Sequence, residues 1–257
     1  MNKAFSLIEL AIVLIIIALV VGGVIAGRSL IKSAQLNSVA TEMQKISVSY
    51  DKYKEKYEQA PGDHSKAFDY FGNDCREISN DAVDCNGNGN LRIREAINGG
   101  TYGENHILLR HLWLAGFYRT ETLKGSFPST AGDIVLGDHL PKLSISGASL
   151  FTYAWQVESF FIDACCSNYT SKFANILSLG KLTGGSGSPW PSGNVLSPRD
   201  AKKIDNKIDD GEPGTGALIA GHQDDGCADD TDMKIAEYDV STTDIVCKIG
   251  LILEQPV

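Results

Sequence analysis

Oxygen-bearing side chains recur between Asp84 and Glu95 at the spacing of a calcium-binding loop of the EF-hand type. The segment reads D-C-N-G-N-G-N-L-R-I-R-E and fits the pattern D-x-[DN]-x-[DN]-G-x5-E. Gly89 permits the sharp turn at position 6, and Leu91 is expected to point inward. Calcium takes about six to eight oxygen ligands. The predicted ligands are four side chains and, at position 7, one backbone carbonyl: Asp84, Asn86, Asn88, Glu95 and Asn90.

Two features of this loop predict weak binding. Only Asp84 and Glu95 among the predicted ligands are charged, so we expect a dissociation constant of about 0.1–1 mM. Arg92 stands at position 9, where a water-binding polar residue is usual, and no flanking helix pair is evident. The alternative is a solvated Asn-Gly turn that a bridge between Cys75 and Cys85 holds in place.

Glu9 lies at the start of an apolar run, and no other charged residue follows until Arg28. A carboxylate at membrane depth costs roughly 2–3 kcal/mol or more, so it needs a partner or a purpose. A secretory signal peptide would have an apolar core of about 7–15 residues, with the small residue of its cleavage site after that core. Here the run is longer, and the small residue, Ala4, precedes it.

No arrangement of residues in this sequence predicts an enzyme. The five His residues, at positions 64, 106, 111, 139 and 222, show no H-E-x-x-H or other zinc spacing. No Ser lies in a G-x-S-x-G motif. We interpret these side chains as surface or packing residues.

A long helix is predicted to carry Glu9. Residues 10–27 are apolar or Gly and span about 27 Å as a helix, close to the thickness of a bilayer core. Beyond Arg28 a second pattern begins, with spacings that alternate between three and four residues. It comprises Leu36, Val39, Met43, Ile46, Tyr50, Tyr53 and Tyr57. This seam predicts a helix that continues onto a globular head until Pro61-Gly62 ends it.

The N-terminal sequence M-N-K-A followed by F-S-L-I-E-L resembles the N-terminus of type IV pilins and of the related type II secretion pseudopilins. The resemblance implies cleavage between Ala4 and Phe5, methylation of the new Phe5 terminus, and a role for Glu9 in assembly. The family usually has Gly where this chain has Ala4, so we expect slower cleavage. The alternative is a plain signal anchor that carries one Glu.

The resemblance implies a structural subunit, a pilin or minor pilin, of a type IV pilus-like filament. Its implied partners are prepilin peptidase, other pilin-like subunits and the assembly machinery of the inner membrane. The subunit would wait in that membrane with its head outside the cytoplasm, and would end in a periplasmic or cell-surface filament. The alternatives are a type II secretion pseudopilin and a membrane-anchored calcium-binding or adhesive protein that never polymerises.

The predicted fold is α+β and pilin-like, with the long N-terminal helix packed on an antiparallel sheet. The predicted organisation is a leader at 1–4, the helix at 5–58 with its membrane span at about 7–27, and a head at 59–257. Within the head, helices are predicted near 104–118 and 198–210, and strands within 133–162, 217–220 and 245–253. The motifs P-G-D at 61–63, C-N-G-N-G at 85–89 and I-D-N-K-I-D-D-G at 204–211 resemble those of larger pilin-like proteins.

Six Cys residues suit an oxidising compartment. Proximity in the sequence favours bridges between Cys75 and Cys85 and between Cys227 and Cys247, and leaves the pairing of Cys165 and Cys166 open.

The net charge of −9 resides in residues 200–257, which hold 14 acidic and 5 basic side chains. This acidic balance argues against nucleic acid as a main partner.

Overall fold

The computed structural model describes residues 7–75, 85–93, 104–120, 135–162, 173–181, 193–221 and 226–254. The helices are α1 (Leu7–Tyr57), α2 (Ala67–Phe71), α3 (Glu104–Leu114), α4 (Val157–Ile162) and α5 (Pro198–Ile208), with a 3-10 turn at Gly72–Cys75. The strands are β1 (Ala148–Gln156), β2 (Phe173–Lys181), β3 (Leu218–Gly221) and β4 (Lys248–Glu254).

The four strands form one antiparallel sheet in the order β1-β2-β4-β3. In the register, Leu177 of β2 and Leu218 of β3 both lie opposite Leu251 of β4. The α+β prediction is therefore confirmed, as a long N-terminal helix with a four-stranded antiparallel sheet.

Helix α1 is continuous over 51 residues. Proline is absent from this stretch of the sequence, so no backbone donor is lost within it. The helix ends at Tyr57, one residue before the predicted limit, where Glu58 adopts a left-handed conformation with φ 57°.

The predicted seam is the face that α1 buries. Six of its seven side chains are at most 5% exposed, and Tyr57 is half-buried. The seam shares one core with residues of all four strands and with α3 and α5, including Leu108, Leu177, Ile204 and Ile249. Burial of one such apolar side chain contributes roughly 1.5–3 kcal/mol, so this face attaches the outer half of α1 to the head.

Polar contacts fix the rotation of α1 against the head. The Tyr50 hydroxyl donates to Glu254 Oε2 at 2.7 Å, and Tyr118 donates to Glu42 Oε1 at 2.6 Å. Ser49 Oγ donates to the carbonyl of Phe117 at 3.0 Å. These bonds join α1 to β4 and to the turn that follows α3.

The strand predictions were partly wrong. Of the described residues in this range, 135–162, only Ala148–Gln156 forms a strand, and α4 follows it directly. Strand β2 was missed altogether, although it is central in the sheet. Its burial is nearly continuous, so it lacks the alternation of polar and apolar residues that marks a strand with one face in water.

Candidate functional site

The apolar half of α1 is left uncovered by the described part of the head. Its most apolar stretch of 18 residues has a mean hydropathy of 3.0 and no buried residue. Buried side chains begin only at Leu36. Within the described residues, this is the one helix long and apolar enough to cross a membrane.

Glu9 lies on this uncovered part of α1, in the first turn that the structure describes. A carboxylate there adds negative charge near the positive end of the helix dipole. Ala4 and Phe5, the residues of the predicted cleavage and methylation site, lie outside the described residues.

The described part of the predicted calcium loop, residues 85–93, folds around the side chain of Asp63. Asp63 Oδ1 accepts from the backbone N–H groups of Gly89 at 2.6 Å and Asn90 at 3.2 Å, and Oδ2 accepts from Leu91 at 2.5 Å. A second buried carboxylate, Glu104 at the start of α3, accepts from the N–H of Asn88 at 2.9 Å. Burial raises the pKa of Asp63, while its backbone hydrogen bonds oppose that rise.

Three further contacts hold this loop in the head. Asn175 of β2 accepts from the N–H of Ile93 at 3.0 Å and donates to the carbonyl of Leu91 at 3.2 Å. Gly87 lies against the backbone of Asp63, where a Cβ atom would approach to 2.4 Å, so only glycine fits. The loop is therefore packed on α3, on β2 and on the turn after α1.

The side chains of the predicted calcium ligands in the described part of this loop accept hydrogen bonds from backbone N–H groups. Asn86 Oδ1 accepts from the N–H of Phe68, Asn88 Oδ1 from Asn90, and Asn90 Oδ1 from Arg92, each at 2.9 Å. Leu91, predicted to point inward, is instead 45% exposed. Asp84 and Glu95 lie outside the described residues, and calcium binding stays a prediction.

Asp63 and Glu104 are not predictable as partners of this loop from the sequence. Asp63 belongs to the P-G-D turn after α1, and 26 residues separate it from Gly89. No spacing rule links positions that far apart, so the pairing had no signal in a single sequence.

Both predicted cysteine pairs lie at disulfide distance, with Cα–Cα separations of 5.2 Å for Cys75–Cys85 and 5.0 Å for Cys227–Cys247. Cys165 and Cys166 lie outside the described residues. His111 approaches the first pair, but bridged sulfurs do not offer the thiolates that a metal requires.

His111 is fully buried and has a fixed tautomer. Its Nδ1 accepts from the N–H of Gly62 at 2.9 Å, so Nε2 carries the proton and donates to the carbonyl of Cys85 at 2.9 Å. Burial lowers the pKa of His111 to about 3. This histidine therefore stays neutral and ties the turn after α1 to the loop.

A second carboxylate cluster joins α5 to β3. Asp205, Asp209 and Asp210 bring one oxygen each within 4.8 Å of the others. The buried Asp205 accepts from Tyr238 Oη at 2.8 Å and from the N–H of Gly211 at 3.2 Å. Asp209 Oδ2 accepts from the N–H of Leu218 at 3.0 Å. These bonds organise the turn between α5 and β3.

Burial raises the pKa of Asp205 to about 7, and the nearby charges of Asp210 and Asp209 add to that rise. The hydrogen bonds from Tyr238 and Gly211 act in the opposite direction. We therefore expect the stability of the head to depend on pH through Asp205.

Comparison of the chain with protein-family models, with curated proteins and with solved structures gave no match in any of the three searches.

Proposed function

We propose that this chain is a structural subunit, a pilin or minor pilin, of a type IV pilus-like filament. The observation that carries the proposal is the division of α1 into two halves. The outer half buries its seam in the head. The inner half exposes an apolar surface on which Glu9 is the one charged residue before Arg28. Such a surface needs either lipid or copies of itself around it.

In this proposal the inner half of α1 first spans the inner membrane and then packs among other subunits. Prepilin peptidase cuts between Ala4 and Phe5, and the new Phe5 amine is methylated. That amine is cationic and can reach Glu9 of a neighbouring subunit across a staggered helix contact. The pairing offsets the desolvation of both groups and sets the register, because a slip of one residue separates the charges.

The test is to express Glu9→Leu as the sole copy and to measure two quantities on the same cells. The first is membrane-bound subunit, with its N-terminus identified by mass spectrometry. The second is the yield of sheared filament. We expect a methylated Phe5 terminus in wild-type filaments, and for Glu9→Leu normal membrane insertion with filament reduced at least tenfold. Glu55→Leu, which removes an exposed carboxylate from the outer half, is the matched control.

Four outcomes would redirect the proposal. An intact Met1 terminus in assembled material excludes the cleavage, and a normal filament yield from Glu9→Leu removes the role of Glu9. If deletion of the chain abolishes protein secretion and the wild type yields no sheared filament, the chain would be a type II secretion pseudopilin. A chain that stays monomeric in the membrane would point to an anchored calcium-binding or adhesive protein.

A further inference from the structure

A cavity of about 310 Å³ lies where α1 leaves the head. We call it the neck cavity. Ile31 and Leu36 of α1 form one wall, and Ile145, Val195 and Ile245 of the head form the other. Ile31 is 62% exposed and Ile245 is 54% exposed, so the cavity opens to its surroundings through apolar side chains. Its volume is at the lower end of the range for ligand pockets, about 300–1,000 Å³.

Basic side chains outnumber acidic ones at this cavity. Arg28 and Lys32 line it from successive turns of α1, and Asp200 lines it from α5. Lys32 Nζ lies 2.5 Å from Asp200 Oδ2, and Lys203 Nζ lies 3.8 Å from Asp200 Oδ1. The lining therefore holds two cations, Arg28 and Lys32, against one carboxylate, and Lys203 pairs with that carboxylate from outside the lining, which leaves an excess of positive charge.

Lys32 can still take a second acceptor. Its side chain is 56% exposed, whereas that of Asp200 is only 6% exposed. A lysine ammonium has three N–H donors, so the pairing with Asp200 leaves donors for an anion. Arg28 is exposed one turn nearer to the apolar half of α1 and adds a planar set of donors that suits phosphate.

The length of the apolar run sets the depth of this cavity in a membrane. Residues 7–27 span about 31 Å, enough to cross a hydrocarbon core of about 30 Å. Arg28 and Lys32 follow within the next 6 Å or so, which is about the depth of one headgroup layer. The neck cavity then lies at the level of the lipid phosphates and headgroups, with Arg28 on its membrane side and Leu36 about 12 Å farther along α1 toward the head.

We propose that the neck cavity binds the headgroup of one anionic phospholipid, with the phosphate between Arg28 and Lys32 and the carbon atoms of the headgroup against Ile31 and Ile245. The proposal rests on the membrane anchoring of α1 within the proposed function, and it does not require filament assembly. The bound lipid would hold the head at a fixed height above the bilayer and cover the apolar cavity before assembly.

The experiment measures lipid binding to the full chain in a neutral detergent. Thermal unfolding is followed by intrinsic fluorescence while dioctanoyl phosphatidylglycerol is added, and in parallel dioctanoyl phosphatidylcholine or inorganic phosphate. We expect a saturable rise in the melting temperature with phosphatidylglycerol alone. Arg28→Gln should weaken the apparent affinity about fivefold, because one cation near anionic lipid contributes that much.

Lys52→Gln is the matched control, since it removes an exposed lysine of the same helix about 36 Å farther along. It should bind phosphatidylglycerol like the wild type. Lys32→Gln also breaks the pairing with Asp200. The affinity of this variant for phosphatidylglycerol is therefore interpreted only if the lipid-free variant has the melting temperature of the wild type. Arg28→Gln carries the test in any case, because it leaves that pairing intact.

Several results would overturn the proposal: equal shifts with phosphatidylcholine, an equal shift with inorganic phosphate, or an Arg28→Gln affinity like that of the wild type. A dimer that Ile245→Asp dissociates, without any lipid effect, would show that a second copy fills the cavity instead. The filament proposal and the lipid proposal can fail independently of each other. A chain that is never cleaved or assembled can still bind phosphatidylglycerol, and a filament-forming chain can fail to bind it.

Discussion

At the scale of single residues, the head is held together around buried carboxylates. Asp63 accepts three backbone N–H groups of the loop at 85–93, and Asp205 accepts the hydroxyl of Tyr238 and the N–H of Gly211. A carboxylate that loses such partners inside a protein keeps the cost of desolvation without its compensation. Both side chains therefore organise the backbone around them, and both link stability to pH.

Asp205 gives a prediction about pH. Its pKa is raised from 3.8 to about 7, so its contribution to stability is complete below pH 3.8 and is lost as pH rises to about 7. Asp205→Asn mimics the protonated form and should not lose this contribution. The unfolding free energy of wild type minus that of Asp205→Asn should therefore fall between pH 4 and 7 and then level off, as measured by urea denaturation.

The prediction concerns the difference between two unfolding free energies because His111 changes stability with pH in the opposite direction to Asp205. Its pKa is lowered to about 3, so its contribution is complete above pH 6.5 and is lost as pH falls toward 3. Both proteins retain His111, so its effect cancels. Asp244→Asn, at an exposed carboxylate, is the control and should show a difference that does not vary with pH. A constant difference for Asp205→Asn would contradict the prediction.

Calcium gives a second prediction at this scale. If Asp84 and Glu95 complete the loop as its spacing predicts, calcium should raise the melting temperature of the oxidised chain. A ligand at tenfold excess over its Kd stabilises the folded state by about 1.4 kcal/mol. Asp84→Ala combined with Glu95→Ala should abolish the rise, and Asp51→Ala, on the exposed face of α1, should not. An unchanged melting temperature at millimolar calcium would exclude the site.

At the scale of elements, α1 is one helix in two environments. Its outer half is amphipathic and joins the core of the head, whereas its inner half has no polar face and joins no described part of it. Most helical stability in proteins comes from tertiary packing of an amphipathic face, so the buried seam stabilises the outer half. The inner half depends on a membrane or on other helices.

The seam predicts a sharp contrast between neighbouring positions of α1. Ile46 is fully buried and Val48, two residues later, is 50% exposed. Ile46→Ala should cost about 2–5 kcal/mol because it deletes core volume and leaves a cavity. Val48→Ala should change stability by no more than about 0.5 kcal/mol. Denaturant unfolding of the two variants in the same detergent measures both, and equal losses would mean that the seam is wrongly placed.

At the scale of the whole molecule, the head is complete without the inner half of α1. The first buried side chain of α1 is Leu36, and Lys32 pairs with Asp200 of the head one turn earlier. The described core draws on the seam, on α3, on α5 and on the sheet. The packing on the head and the uncovered apolar surface therefore belong to different parts of one helix.

This separation predicts the behaviour of a truncated chain. Residues 29–257 should remain monomeric in water without detergent and should melt within a few degrees of the full chain in detergent, because the deleted residues contribute no described core side chain. Light scattering after gel filtration and thermal unfolding test both expectations. Aggregation, or a melting temperature more than about 10 °C lower, would show that the inner half belongs to the fold.

Patterns within a few residues were sufficient for some elements. The seam of α1 was predictable because residues three and four apart share a helix face. The N-cap of α5 was predictable in the same way, because Ser197 stands directly before Pro198. In the structure the Ser197 side chain accepts from the N–H of Asp200. Strand β2 was not, because its nearly continuous burial fits a strand or a helix equally well.

The long helix, the length of its apolar run and the burial of its outer face were predictable from the sequence, which also favoured the two cysteine pairs. Each of these depends on local spacing or on nearness along the chain. Only the tertiary structure decided that Asp63 and Glu104 hold the loop at 85–93, that Tyr238 reaches Asp205, and that Lys32 meets Asp200 at the neck. These partners are far apart in sequence, and the packing of their elements around the hydrophobic core brings them together.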